Sequence, residues 1–503
     1  MIRFPGGDSL RKIIGHPLFG VMTGAAAIRL IGVTTRGIQY DDAFSILLSA
    51  RSFSEIIQGT AADTMPPLYY FILHLWQKAG TTVAFLRLPG ILFSLGIILL
   101  AYLLVKRLAN PSAAVWTAAI LAISPLQNYH AQDLRMYSLA TLLILGWDLA
   151  AIEISTQNQM QYVSLWKWLL LVLCGTGALY SHALAGFGLL APYAYYLWKR
   201  DWKKTGRLAL AGAASIVLYL PWLVFVPGQI AKVQQAFWTP RPGVVEILQS
   251  IIMILGDIPT PPFILGGVLF CCLCVGILGV IECVRHRAGN SRLTFFLWMT
   301  LIPPLCLFLL SYIMRPMFVP RGFLSAYIGV AAIMGILIER AKLIEKYLMG
   351  GLILVAAILT LPNQISFSRF PRSPFQPAAR YIQSVARDGD LVLHDNKLSY
   401  FPFRVYEPDL NSRFLADAPG SENDTLAEET MAALHITADT DVMKAVDGSE
   451  QVYFVVFQET ISEYSAAGGH PVTQQLDHLA GEPVEHAFGD LLVLEYSMAG
   501  KKP

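Results

Sequence analysis

The amino-acid sequence predicts an α-helical polytopic membrane protein that ends in a small α/β domain. Its 503 residues are 55% hydrophobic and only 14% charged, whereas soluble proteins carry roughly 25% charged residues. The charge is also divided unevenly. Residues 1–362 contain 27 Lys or Arg and 14 Asp or Glu, whereas residues 363–503 contain 10 and 21. Such a change of charge marks a domain boundary, so we predict a membrane domain over 1–362 and an acidic domain over 363–503.

Apolar segments long enough to cross a bilayer, about 18 to 25 residues, recur along the membrane domain. We predict eleven spans, near residues 16–33, 86–105, 113–127, 137–154, 163–180, 183–198, 208–227, 261–282, 293–313, 319–338 and 347–362. With this count the basic clusters, from Arg3, Arg11 and Lys12 onward, fall on one face. Because basic loops stay in the cytoplasm, we predict a plasma or inner membrane protein with a cytoplasmic N-terminus. The C-terminal domain is then extracytoplasmic.

The first outer loop, residues 35–85, is far longer than the usual loop of about 4–6 residues. It contains the adjacent carboxylates Asp41 and Asp42 soon after the first span. It also contains residues 65–76, which are apolar but too short to span a membrane. We expect helices lying in the membrane interface here, with Tyr69, Tyr70 and Trp76 at the level of the lipid headgroups.

Further polar groups lie at the outer ends of other predicted spans. They are Asp133 and Arg135 in the turn over 124–138, Tyr180 and His182 after the fifth span, and Arg315 and Arg321 among prolines before the tenth. Each of these groups could also be structural. Arg135 could be an interfacial cation with Asp133 as its partner, and His182 could be a buried structural histidine. Asp41 and Asp42 could lie in a solvated loop. Their convergence on one membrane face instead indicates a functional site.

Several short motifs occur in the same order as in one family. They are Asp41-Asp42-Ala43-Phe44, Pro66-Pro67-Leu68-Tyr69-Tyr70, Arg87-Leu88-Pro89, Gln132-Asp133-Leu134-Arg135-Met136-Tyr137, Tyr180-Ser181-His182 and Pro320-Arg321. Together they resemble the dolichyl-phosphate-mannose-protein mannosyltransferase-like family, which belongs to the C-type (GT-C) integral-membrane glycosyltransferases. Two residues depart from the family pattern. Asp133 stands where the family usually has Glu, and Asp42 stands where many relatives have Glu, so both carboxylates have a shorter reach.

The resemblance implies transfer of a sugar from a polyprenyl-phosphate carrier to a hydroxyl acceptor on the extracytoplasmic face. The acceptor is a protein or an envelope glycan or lipid, and one-step displacement assisted by a base implies inversion. It implies Asp41 as general base, with Asp42 tuning it, positioning the loop or helping to hold a divalent metal ion. Arg135, Arg321 and Arg315 are candidates for the donor phosphate, since guanidinium groups stabilise a departing anion. Asp133, Tyr69, Tyr180 and His182 are candidates for substrate binding. No metal motif appears by spacing, and the predicted partners besides donor and acceptor are the bilayer and no nucleic acid.

The acidic region begins with a proline-rich linker over 369–377. Strand-length apolar runs at 390–394, 451–457 and 490–496 alternate with helical stretches at 377–386 and 425–434, a pattern typical of an α/β layer. No Gly-rich phosphate loop appears, so we predict an accessory domain. Three alternatives stay open for the whole chain: a transporter or flippase of lipid-linked precursors, an oligosaccharide ligase or polymerase that uses diphosphate-linked donors, and a noncatalytic scaffold.

Overall fold

The computed structural model describes residues 15–155, 164–235, 239–256, 261–285, 293–417, 426–465 and 468–498. The basic residues Arg3, Arg11 and Lys12, part of the predicted basic loop after residue 285, and the first residue of the predicted helix 425–434 lie outside these ranges. In chain order the helices up to residue 366 are α1 (Pro17–Leu30), α2 (Tyr40–Ser49), α3 (Phe53–Ala62), α4 (Leu68–Gln77), α5 (Val83–Leu108), α6 (Pro111–Ile123), α7 (Pro125–Gln132), α8 (Tyr137–Ser155), α9 (Leu165–Ser181), α10 (Ala185–Gly188), α11 (Ala191–Trp198), α12 (Trp202–Leu223), α13 (Val226–Gln235), α14 (Val244–Ile252), α15 (Pro262–Arg285), α16 (Thr294–Ile313), α17 (Leu324–Arg340) and α18 (Leu343–Ser366).

The membrane part is a helical bundle, as predicted. Within the described ranges, seven helices are long and apolar enough to cross a membrane: α5, α8, α12, α15, α16, α17 together with the 3-10 turn Pro320–Phe323, and α18. The apolar helices α1, α6 and α9 are shorter. The predicted span over 183–198 is instead divided into α10 and α11. A polytopic membrane protein is therefore confirmed, whereas the count of eleven spans stays a prediction.

A proline sets the outer end of α6 and so shapes the turn over 124–138. The predicted span over 113–127 stops at Ile123, because Pro125 disfavours helical backbone at the residue before it. Ser124 accordingly adopts φ −59° and ψ 121°. Its hydroxyl accepts a hydrogen bond from the Gln127 N–H at 3.4 Å, which starts α7 as an N-cap.

The first outer loop forms three short helices, α2, α3 and α4. Our placement of Tyr69 and Tyr70 at the headgroups is wrong, because both side chains are buried in protein. They share a hydrophobic core with Phe44 of α2 and with residues of the C-terminal region. An apolar helix of this length can face lipid or protein equally well, and here α4 packs against α2, α3, α5 and α9.

The C-terminal region, for which we keep the name C-terminal domain, contains an α/β sheet, as its pattern of strands and helices predicts. The domain boundary at residue 362 stays a prediction. Its elements are α19 (Phe375–Val385), β1 (Leu391–His394), α20 (Lys397–Tyr406), β2 (Ser412–Leu415), α21 (Glu428–Leu434), β3 (Ala438–Asp439), α22 (Val442–Val446), β4 (Gln451–Phe457), α23 (Gln458–Ser465), α24 (Pro471–Ala480), β5 (Val484–Phe488) and β6 (Leu491–Ser497). The strands form one sheet in the order β3-β2-β1-β4-β6-β5. Strands β1 to β4 pair in parallel, and β6 pairs antiparallel with both β4 and β5.

His394 makes the stability of this domain depend on pH. Its side chain is fully buried beside Phe403, with its Nδ1 3.0 Å from the Ser399 hydroxyl. Burial lowers its pKa to about 3, against about 6.5 in an unfolded chain. Because only the unfolded chain takes up this proton between those values, stability falls as pH drops through that window. We expect a loss of about 2 kcal/mol between pH 7 and pH 5 from this residue alone.

Thermal unfolding of the full chain at pH 7 and pH 5 tests this expectation. The variant His394→Gln should lose less stability on acidification than the wild type. His478→Gln, which changes an exposed histidine of α24, is the matched control and should follow the wild type. An unchanged pH dependence in His394→Gln would contradict the assignment.

Candidate functional site

The two adjacent carboxylates of α2 point into different environments. Successive helical residues diverge by about 100°, so Asp42 is fully buried while the side chain of Asp41 is 30% exposed. Asp42 accepts a hydrogen bond from the Leu134 N–H at 2.8 Å and lies 4.0 Å from the Arg87 guanidinium. The Gln39 N–H, at the N-cap of α2, lies 3.5 Å from the same carboxylate. Burial and the nearby Asp133 raise the pKa of Asp42.

Asp41, in contrast, faces the guanidinium group of Arg321. Its carboxylate lies 3.6 Å from a guanidinium nitrogen of Arg321. Arg321 lies in the 3-10 turn before α17, and its guanidinium carbon is 5.9 Å from the centre of the Tyr137 ring. Of the two carboxylates, Asp41 is therefore the one available to a bound molecule, and Asp42 is the one that holds the local structure.

A small pocket that is partly open to solvent is lined by Arg321 together with Tyr137 and His182. The rings of Tyr137 and His182 lie 5.6 Å apart. Farther along α8 the lining is small or apolar, formed by residues such as Ala140 and Ile144. From Tyr137 to Ile144 the helix rises by about 10 Å. The pocket is thus polar near the N-terminal end of α8 and apolar farther along this helix.

His182 is a neutral hydrogen-bond donor at the polar end of this pocket. Burial, and then the charges of Arg135 and Arg321, lower its pKa to about 3. Its Nδ1 accepts the Leu184 N–H at 3.1 Å. The ring proton therefore resides on Nε2, the nitrogen left to meet a ligand.

Arg135 lies close to Asp41 beneath the surface. Its guanidinium donates hydrogen bonds to the hydroxyls of Tyr70 at 3.2 Å and Ser45 at 3.5 Å. The Ser45 hydroxyl in turn donates to the backbone carbonyl of Asp41 at 3.0 Å. Burial opposes the charge of Arg135, but the neighbouring carboxylate of Asp41 and other groups keep its pKa above the ordinary value.

Asp63 is a site residue that our sequence analysis missed. It ends α3, lies 3.9 Å from the Lys232 ammonium group, and its charge acts on Tyr40, Tyr70 and Arg135. The available signal was its position three residues before Pro66-Pro67, inside the long outer loop. Asp41 and Asp63 are thus two carboxylates that act on the same arginine.

Asp133 points into the protein instead of the pocket. Its carboxylate is buried, pairs with the Arg36 guanidinium and lies 2.8 Å from the Nδ1 of His130. Burial opposes its ionisation, but Arg36 and His130 together hold its pKa well below the ordinary range. A role of Asp133 in substrate binding stays a prediction, and its contacts are those of a structural ion pair.

The remaining predicted site residues do not line the pocket. The Tyr180 hydroxyl donates to the Leu218 carbonyl at 3.2 Å, Arg315 donates to the Gln234 carbonyl at 3.1 Å, and Tyr69 packs against Tyr70 in the core. Within the described ranges, no three His, Cys, Asp or Glu side chains are grouped so as to hold a metal ion. The divalent cation that the resemblance allows therefore stays a prediction, and no chemical step is assigned to it here.

Similar proteins place this fold in a known class. The structure resembles ArnT from Cupriavidus metallidurans bound to undecaprenyl phosphate, with a TM-score of 0.62 at 12% identity over 96% of this chain and 98% of that one. The apo form of the same ArnT gives a TM-score of 0.61 at 13% identity over 99% and 100%. Archaeal oligosaccharyltransferase AglB from Archaeoglobus fulgidus, in complex with an inhibitory peptide and a dolichol-phosphate, gives 0.53 at 13% identity over 97% and 75%. At these identities the likeness concerns the fold.

The fold, and part of the sequence, are thus similar to those of membrane glycosyltransferases of the GT-C type. The resemblance predicted from the motifs is confirmed for part of the chain, since the model of the dolichyl-phosphate-mannose-protein mannosyltransferase family matches residues 64–225. This segment includes Pro66-Pro67, the turn over 124–138 and His182. No curated protein sequence matches the chain.

Proposed function

We propose that the chain transfers a sugar from a polyprenyl phosphate to a hydroxyl group of an acceptor on the extracytoplasmic face, with Asp41 as general base. The observation that carries this proposal is the contact between Asp41 and Arg321 beside the pocket, at 3.6 Å. It brings a partly exposed base next to a cation that can receive a phosphate. The buried Asp42 lacks that access.

In the proposed reaction, the acceptor hydroxyl attacks the anomeric carbon of the donor sugar. Asp41 takes the hydroxyl proton, a new carbon–oxygen bond forms, and the bond from the anomeric carbon to the phosphate oxygen breaks. A positioned carboxylate contributes roughly 10²- to 10⁴-fold to such a step. Because the displacement occurs once, the configuration at the anomeric carbon is inverted.

The leaving polyprenyl phosphate requires stabilisation of its negative charge. Arg321 and the Nε2–H of His182 lie at the polar end of the pocket, and Arg135 supplies a second guanidinium nearby. Preorganised donors of this kind stabilise charge that develops in the transition state. The lipid class is supported by the similar ArnT and AglB structures, which hold undecaprenyl phosphate and a dolichol-phosphate.

The contact between Asp41 and Arg321 also favours binding of the donor before catalysis. A phosphate competes with Asp41 for the same guanidinium, since both are anions that pair with arginine. When the phosphate engages Arg321, Asp41 is released to accept a proton. We therefore propose that the donor binds first and the acceptor second. Asp41 then stays paired with Arg321, and does not act as a base, until the donor is bound.

Donor turnover by purified protein in detergent tests the function. Radiolabelled sugars on polyprenyl monophosphate and on polyprenyl diphosphate are compared with an envelope extract as acceptor, and release of the free lipid phosphate is measured. Turnover of a monophosphate donor supports the proposal and names the sugar. Exclusive use of diphosphate donors would instead establish a ligase or polymerase, and absence of turnover with every donor would favour a transporter or scaffold.

The variant Arg321→Gln should lower kcat/KM for the donor by about 10- to 100-fold, because a hydrogen bond to a charged group contributes roughly 1.5–3 kcal/mol. Steady-state kinetics over a range of donor concentrations measure this change. Arg404→Gln is the matched control, since Arg404 lies in α20 and donates to the Pro408 carbonyl. Equal kcat/KM values in the two variants would contradict the assignment of Arg321 to the phosphate.

A further inference from the structure

The C-terminal domain contacts the helix that carries Asp41. Phe401 of α20 is fully buried, with its ring 5.2 Å from that of Tyr40 and 6.0 Å from that of Phe44. The Lys397 ammonium group, at the start of the same helix, lies 5.9 Å from the centre of the Tyr40 ring. Asp41 follows Tyr40 directly in sequence. The packing of α20 therefore fixes the first turn of α2, from which the proposed base projects.

A hydrogen bond between α20 and the segment before α2 accompanies this packing. The Tyr406 hydroxyl, at the end of α20, accepts a hydrogen bond from the Ile38 N–H at 2.7 Å. Ile38 is buried and precedes Gln39, the N-cap of α2. An N–H in this position has no partner within the helix, because the chain has not yet become helical. Tyr406 thus holds the segment that sets where α2 begins.

The same tyrosine lies next to the buried charges below the site. Arg87 and Asp42 both act electrostatically on Tyr406. Arg87 donates to the carbonyls of Val33 at 2.9 Å and Gly37 at 3.3 Å, so it orders the segment that leads into Ile38. These contacts come from both sides of the predicted boundary at residue 362, and they meet at the start of α2.

The turn that carries Arg135 is held from the C-terminal side as well. The Gln364 side-chain amide donates to the Pro125 carbonyl at 2.9 Å, and Arg372 donates to the Gln364 carbonyl at 2.7 Å. The Arg372 guanidinium carbon lies 4.5 Å from the centre of the Tyr129 ring, and that of Arg36 lies 4.4 Å from the same ring. Residues beyond 362 therefore contact both elements that must be aligned for the proposed reaction.

From these contacts we infer that the C-terminal domain completes the catalytic centre, with Tyr406 as a positioning residue for Asp41. Tyr406 acts through the Ile38 N–H and α2, and it does not touch the reacting atoms in this scheme. The inference rests on the proposed function and assigns to the domain a part in catalysis. A reaction of this kind is sensitive to small displacements, since misplacing a group by about 1 Å can lower a rate about 100-fold.

The test compares Tyr406→Phe with Tyr381→Phe in the full-length chain. Both variants lose one hydroxyl from the same domain, but the Tyr381 hydroxyl contacts His486 inside the domain at 2.9 Å. For Tyr406→Phe we expect kcat to fall at least about tenfold with a donor KM within about twofold of the wild type. Tyr381→Phe should retain the wild-type kcat.

Hydrogen exchange of backbone amides over 38–49 supplies a readout that does not depend on activity. Faster exchange in Tyr406→Phe, with wild-type exchange in Tyr381→Phe, supports the inference. Unchanged exchange in Tyr406→Phe overturns it, and so does a kcat equal to that of Tyr381→Phe. A loss of active protein at constant kcat per folded molecule also overturns it. If the wild type turns over no donor, the proposed function fails, and the exchange experiment alone decides whether Tyr406 positions α2.

Discussion

Asp41→Asn is expected to lower kcat by about 10²- to 10⁴-fold, the contribution typical of a positioned general base. Asparagine has nearly the shape of aspartate but cannot accept the proton of the acceptor hydroxyl. The side chain is 30% exposed, and a partly exposed ion pair contributes at most about 1 kcal/mol to stability. The variant should therefore fold like the wild type and fail at the chemical step.

The measurement is single-turnover release of free polyprenyl phosphate by purified wild type and variant, with thermal unfolding as the check on folding. Asp63→Asn is the informative comparison, because Asp63 acts on the same Arg135 and lies 3.9 Å from the Lys232 ammonium group. Retention of the wild-type rate in Asp41→Asn, with a large loss in Asp63→Asn, would transfer the role of base to Asp63. Retention of the rate in both would contradict base catalysis by this loop.

The sequence led to residues of the candidate site but did not give their arrangement. The order of the motifs led to Asp41, Arg135, His182 and Arg321, which the structure brings near the pocket. It did not separate Asp41 from Asp42 except by the family pattern, because burial depends on the elements packed around α2. The pairing of Arg36 with Asp133 joins residues 97 positions apart, and no local pattern encodes it.

In the fold, too, elements encoded by a local run of residues were predicted, whereas contacts between residues far apart in the chain were not. Apolar runs long enough to span a membrane predicted the long membrane helices, and apolar runs of strand length predicted β1, β4 and β6. The strands β2, β3 and β5 were missed because they are short or have exposed side chains. Likewise, Tyr69 and Tyr70 were expected at the headgroups because the core that they share includes C-terminal residues such as Phe401, which lie more than 300 positions away in the chain.

Asp133→Ala is expected to cause the largest loss of stability, about 3–5 kcal/mol, because removal of one partner leaves a buried charge uncompensated. Arg36 is only 5% exposed, and besides Asp133 the charge of Asp42 also acts on it. The pKa of Asp133 lies well below its ordinary value. The ionised carboxylate therefore contributes fully to the free energy of unfolding when the pH is above that ordinary pKa. The contribution should be lost as pH falls toward the lowered pKa of the folded state.

Thermal and denaturant unfolding in detergent measure the loss, and the double variant Arg36→Met/Asp133→Leu tests its cause. Replacing both charges with apolar groups of similar volume is often neutral or stabilising, so the double variant should recover most of the stability lost in Asp133→Ala. A single variant that loses less than about 1 kcal/mol would show that water reaches the pair. Leu134 follows Asp133 and donates a hydrogen bond to Asp42, so a change at residue 133 can also affect the site. Measuring both unfolding and kcat of the double variant separates the effect on stability from the effect on catalysis. Recovered folding with recovered kcat would establish Asp133 as a structural residue, whereas recovered folding without activity would return it to substrate binding.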